Sequence, residues 1–227
     1  MPNQSVSWVA KVFAVAQKDI VSEFRTRYAL NAILMFALVT LTVISFAIGA
    51  LDVSKEILAS LFWIVQFFAA MSGLSQVFVK EEESGTAMIL KLSSEGSVIF
   101  FGKLMFNLFL LFILSVLIIP LFIILLKISP EIWWIFLVAV ILGNIGLAAA
   151  TTIIAAIISK ATVKGALFTV LSFPVLMPLL IAVIEMTKIS FLGGEISGAY
   201  APLQLIIAYD VVMATLSMLL FDFVWRQ

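Results

Sequence analysis

Residues 80–103, KEEESGTAMILKLSSEGSVIFFGK, form the longest stretch between hydrophobic runs. They hold Lys80, Glu81, Glu82, Glu83, Lys91, Glu95 and Lys103, seven of the thirteen basic and thirteen acidic residues in the chain. The sequence on either side is almost free of charge. Of the 227 residues, 64% are hydrophobic and 11% charged, and the mean hydropathy is +1.25. A soluble domain has about 45–50% apolar and about 25% charged residues. The chain is therefore read as an integral membrane protein.

Six apolar runs surround this stretch: 28–51, 57–79, 104–126, 132–159, 165–184, and a last run from 196 that spans at about 200–221. Each supplies the roughly 20 residues that a helix needs to cross the hydrocarbon, and none alternates as barrel strands do. The expected fold is an all-α membrane protein, with six spanning helices in one domain over residues 1–227. Residues 5–27 read as an amphipathic helix. Val9, Val12, Phe13, Ala16, Ile20 and Phe24 share one side and Lys11, Lys18 and Arg25 the other, at about 100° per residue. A basic polar face suits a helix lying in the membrane interface; an arm packed on its own protein is the alternative. Glu23 falls inside the apolar arc, with Arg27 as its expected partner. No small-x-small site ends a short apolar core, so the chain is expected to be used whole.

Lys and Arg set the orientation. With the N-terminus inside, Lys11, Lys18, Arg25, Arg27, Lys80, Lys91, Lys103, Lys160, Lys164 and Arg226 are cytoplasmic, against Lys55, Lys127 and Lys188 outside. Both termini and 80–103 are expected in the cytoplasm. The outer turns 52–56 and 127–131 are short. Ser129, Pro130 and Glu131 read as N-cap, first residue and first-turn acid of the fourth span, and Trp133 and Trp134 as belt residues. Residues 185–195 are too short and apolar for a solvated loop and are expected to dip into the outer leaflet. Small residues from Gly143 to Ala156 permit close helix approach, read as static packing in preference to sliding. Pro174 and Pro178 interrupt the fifth span.

There is no cysteine and no histidine. This removes disulfides, thiolate or imidazole metal sites, and Ser-His or Cys-His catalysis. Balanced charge argues against a nucleic-acid partner. Gly96 to Lys103 has five residues between its glycines where a phosphate loop has four, and Leu104 where Ser or Thr would bind magnesium. Energy must come from another subunit, and no catalytic or metal-binding residue is assigned. Asp210 is the one carboxylate well inside a span, so it needs a partner or a cavity. A structural contact is preferred over a substrate path, with Asn107 and Asn144 the candidates to meet it or to bond each other's helices. Glu185 and Lys188 read as an interfacial ion pair in preference to a gate.

Glu23-Phe-Arg25-Thr-Arg27 stands before the first span, Glu83-Ser-Gly85-Thr86 after the second, and Gly102-Lys103 with Asn107 opens the third. Pro174, Pro178, Ala182-Val183-Ile184-Glu185 and Tyr209-Asp210 follow in order. Together these points resemble the type-2 ABC exporter permeases, and most closely the CcmB family, the haem-exporter-type permease of cytochrome c maturation. The family's further acid after Gly-Thr and its loop proline are replaced by Ala87-Met88 and Ser93-Ser94.

The resemblance implies a multi-pass subunit of the cytoplasmic membrane, paired with a separate ATP-binding subunit and present as a homodimer within the complex. It also implies a haem-handling membrane protein as partner and surrounding lipid. ATP would be bound in the partner, and haem is the candidate substrate, or a haem-loaded chaperone is released. Only Met and Tyr could meet haem iron, and nine Met in a membrane chain read as packing residues. The coupling segment is assigned to Glu81, Glu82, Glu83, Gly85, Thr86, Met88, Ile89 and Leu92. A helix over 82–92 presents Met88, Ile89 and Leu92 as a docking face. A turn at 93–96 follows, then a second short helix at 98–101 lying on the membrane. The alternatives are an exporter of lipid, glycan or drug, and a scaffold without transport.

Overall fold

The computed structural model describes residues 7–49, 51, 53–159 and 164–226. Among them are nine α-helices and no strand: α1 (Trp8–Thr26), α2 (Tyr28–Ile48), α3 (Lys55–Leu74), α4 (Gln76–Glu83), α5 (Ala87–Ser93), α6 (Gly96–Leu126), α7 (Trp133–Ile158), α8 (Lys164–Leu192) and α9 (Tyr200–Arg226). Six segments are long and apolar enough to cross a membrane, with α3 and α4 counted as one. The expected all-α fold with six spans is the observed one. Asp52, Lys160 and the side chains of Lys164 and Arg226, used in the turn and orientation readings, lie outside the described residues.

Helix α7 is the hub, packed against α3, α4, α6, α8 and α9. Its small residues make this possible. A Cβ on Gly143 would stand 2.3 Å from the Trp63 ring, and one on Gly146 would stand 2.5 Å from Asp210 and 2.7 Å from Leu179. Buried side-chain hydrogen bonds pin the helices further. Gln66 Nε2 of α3 donates to Ser115 of α6 and to Asn144 of α7, both at 2.9 Å, and Asn144 Nδ2 donates to Ser115 at 2.8 Å. Asn107 Nδ2 donates to Thr152 at 2.9 Å. Asn107 and Asn144 thus bond each other's helices, as one of the sequence readings has it. With no water in the hydrocarbon, such groups must find partners inside the protein.

Helix α1 starts at Ser7, whose hydroxyl accepts from the Ala10 N–H, and stops at Arg27. Arg27 is left-handed at φ +54° and is both the last cap of α1 and the first of α2. Glu23 does not pair with Arg27 through its side chain. Its Oε1 accepts from the Leu30 N–H at 2.9 Å, so it caps α2, whose own cap supplies no side-chain bond. Helix α1 buries Val12, Val15, Ala16, Asp19 and Glu23 against α6, while Val9, Phe13 and Phe24 stay exposed. The buried face is centred roughly 60° from the middle of the apolar arc. One flank meets the protein and the other is left exposed.

The structure corrects four boundaries. Residues 82–92 are not one helix, because the chain breaks at Ser84–Thr86 with Gly85 at φ +68°; the second break, at Ser94–Glu95, falls where the sequence puts it. Residues 98–101 are no separate element but belong to the first turns of α6. Helix α8 runs through both prolines and on to Leu192, so 185–192 is helix and Glu185 pairs with Lys188 at 2.6 Å within it. The Tyr209 hydroxyl donates to the Val175 carbonyl in the proline-bearing turn. Helix α7 begins at Trp133 without a side-chain cap. Ser129 is not its cap and Glu131 is not its first-turn acid; Glu131 pairs with Lys55 and its N–H donates to Ser190 O at 3.0 Å, tying that turn to α3 and α8.

Candidate partner-coupling site

Residues 80–103 are anchored at Glu81, in α4, and at Lys103, in α6, and the anchor is ionic. Lys103, at the start of the third turn of α6, is only 1% exposed. Its Nζ lies 2.8 Å from Glu81 Oε1 and 2.9 Å from Asp19 Oδ2, and 5.7 Å from the centroid of Phe78. Lys18 of α1 also donates to Glu81 and stands 3.4 Å from Asp19. The second Glu81 oxygen accepts from the Thr86 hydroxyl, and the Thr86 N–H donates to the Glu81 carbonyl at 3.0 Å. Two cations and two anions from α1, α4 and α6 close on one another. Burial works to lower the Lys18 pKa, but its bond to Glu81 and the charges of Asp19 and Glu81 outweigh this and hold it above the ordinary 10.5.

Gly102 makes the arrangement possible. A Cβ there would sit 2.6 Å from Val15 and 3.2 Å from the Val12 carbonyl, so only glycine lets α1 come close enough for Asp19 to reach Lys103. Val12, Val15 and Val98 form a small core at this crossing. Beside the ionic knot lies a cleft of about 520 Å³, walled by Tyr28, Ala29, Gln76, Ile89 and Phe106 among others. On α5, Ala87 and Leu90 face inward, whereas Met88 and Ile89 are each 67% exposed and Leu92 is 81% exposed.

The structure thus divides the residues that the sequence grouped as partner contacts. Met88, Ile89 and Leu92 are on the surface, and Glu83 and Gly85 are exposed. Glu82 and Thr86 are half-buried. Glu81 is corrected: it is buried and committed to Lys18, Lys103 and Thr86, so its carboxylate is an internal tie and not a docking charge. Asp210 is buried against Gly146, and both its oxygens lack a hydrogen-bond partner among the described residues. The expected bond to Asn107 or Asn144 is not made, since each of these is engaged between α6 and α7. Glu185 lies apart, with Lys188. No group of acidic residues among the described residues could hold a metal ion.

Asp19 and Lys103 are the residues that sequence reasoning missed as a pair. The signal was Asp19 four residues before Glu23, which puts two acids on one edge of an amphipathic helix, together with a lysine at the mouth of a span.

Fold and site define a multi-pass, all-helical membrane protein with an amphipathic helix tied ionically to its one long polar segment. A family model described as "CcmB protein" matches residues 10–223. The chain belongs to the CcmB family, the haem-exporter-type permeases of cytochrome c maturation. It is a membrane component of that haem-export ABC system, and a permease subunit of this kind is not itself catalytic. The family works in a complex with an ATPase and other maturation proteins. No curated protein matches the chain.

Proposed function

We propose that this subunit receives the ATPase stroke through α5 and passes it to the bundle through the Lys103–Glu81–Asp19 knot. The observation that carries the reading is the pairing of an exposed apolar face, Met88, Ile89 and Leu92, with a buried ionic tie one turn away. The tie reaches both α1 and the start of a spanning helix. A surface that docks a partner must be exposed, and a joint that transmits displacement must be stiff. Buried charge pairs are stiff because parting them exposes an unpaired charge. The mechanism is rigid-body displacement of helices.

In this reading both termini and α4–α5 face the cytoplasm, following the Lys and Arg count, and the subunit resides in the cytoplasmic membrane as one of two copies, with α1 resting in lipid. The ATPase binds ATP; the outcome is haem passage or release of a haem-loaded chaperone. Co-purification with the ATPase tests it. Met88→Asp and Leu92→Asp should abolish association while leaving the subunit monodisperse. Normal association and ATPase activity in both variants would remove α5 as the contact.

A further inference from the structure

Helix α5 has seven residues, and isolated helices below about 12–15 residues are marginal in water. Its inner face offers only Ala87 and Leu90. Its leading end is tied to Glu81 through Thr86. Its trailing end meets the last turns of α9, from the far end of the chain.

Lys91 Nζ stands 5.1 Å from the ring centroid of Trp225, within reach of a cation–π attraction. Trp225 stacks on Phe221 at 5.5 Å and 17°. Both pack on Phe78 of α4, at 5.4 and 5.6 Å, and Phe221 also meets Phe100 of α6 at 5.4 Å. Asp222 lies so close to Gly96 that a Cβ there would fall 2.2 Å from Oδ1. Gly96 opens α6, which has no side-chain cap, so the carboxylate brings negative charge to unsatisfied N–H groups at the positive end of the helix. Lys91, Ser94, Glu95, Gly96, Asp222 and Trp225 line one cleft of about 350 Å³. Trp225 and Phe221 are buried, although most large side chains of α9 are exposed. Only at this end does the helix turn aromatic surface inward towards the polar segment.

We propose that the C-terminal end of α9 is a latch on the α5–α6 connection, with Trp225 and Asp222 as positioning residues that fix the direction of the Met88–Ile89–Leu92 face. The latch is a property of this chain alone; its effect on ATPase coupling rests on the reading of α5 given above. Held at Thr86 by α4 and at Lys91 and Gly96 by α9, α5 keeps one orientation that its own few contacts would not maintain.

Hydrogen exchange on the full chain in lipid nanodiscs, with and without the ATPase, is the test. Trp225→Ala should speed exchange of the amides of residues 88–93 about tenfold, and Asp222→Asn about threefold. Trp225→Phe should stay near wild type, because the indole N–H has no acceptor among the described residues and the ring face carries the contact. Leu219→Ala, on the exposed side of α9, should change nothing. Unaltered exchange in both Trp225→Ala and Asp222→Asn overturns the latch; if the tryptophan variant does not fold, Asp222→Asn, at an exposed position, decides alone. With the ATPase present, both loosened variants should associate several-fold more weakly. Faster α5 exchange with undiminished association overturns the positioning role and counts against α5 as the contact. Unaltered exchange with lost association overturns the latch and leaves the contact standing.

Discussion

Replacing Lys103 by methionine keeps the length of the side chain and removes its charge. Asp19 and Glu81, with side chains 9% exposed, then share Lys18, whose side chain is 47% exposed. Removing one partner from a buried pair costs about 3–5 kcal/mol. Lys18 continues to serve both acids, which puts the expected cost at the lower end, about 3 kcal/mol. At about 1.4 kcal/mol per tenfold change, the population in which α1 has parted from α6 should rise about 100-fold. The chain has no cysteine, so Val15→Cys places a single thiol in the α1–α6 crossing. Its maleimide reaction rate reports the parting directly. Adding Glu81→Gln and Asp19→Asn to Lys103→Met removes the uncompensated charges and should return the rate to near its starting value. A rate within about twofold in Lys103→Met, or a triple variant as reactive as the single one, would refute the argument that desolvated charge holds this joint.

Two further outcomes follow from the same joint. The folded Lys18 pKa lies above its ordinary 10.5, so the stability it contributes is complete below that value and is lost as pH rises through the folded pKa. The Val15→Cys rate should therefore climb above pH 10.5 after correction for the reagent, and Lys18→Met should flatten the climb. Gly102→Ala puts a methyl 2.6 Å from Val15 and should cost about 1–3 kcal/mol in thermal unfolding; Val15→Ala in the same chain should recover part of it, and full tolerance of Gly102→Ala alone would show that α1 does not press on α6.

Run length and charge were enough to make the six spans and the amphipathic helix legible in the sequence, since lipid leaves few alternatives for an apolar run of 20 residues. Helix ends were less legible. Residues 98–101 read as a separate membrane-surface helix and 185–195 as a dipping segment, because Gly102-Lys103 and Glu185 to Lys188 interrupt the apolar runs, yet backbone hydrogen bonding continues through 98–101 and 185–192 as parts of α6 and α8. The break at Gly85 was visible as a glycine but was outweighed by the apparent helical face of 82–92. The exposure of Met88, Ile89 and Leu92 was legible because apolar residues at this spacing share a side of a short helix. Glu81 was misplaced because an acid in a charged run looks solvated, and its partners Lys18 and Lys103 are 63 and 22 residues away. The α9 contact was invisible for the same reason: nothing local marks Asp222 or Trp225 as neighbours of Gly96 and Lys91.

Arg27 joins α1 to α2 with no residue to spare, one left-handed peptide serving both helices. Helix α1, with its 19 residues, is about 28 Å long, and Glu23 binds it to the first turn of α2 as well. A connection without slack has no way to absorb rotation. Tilting α1 works as a crowbar on α2, with its fulcrum at Arg27, and a small lift at exposed Phe13 becomes a turning force on a membrane-spanning helix.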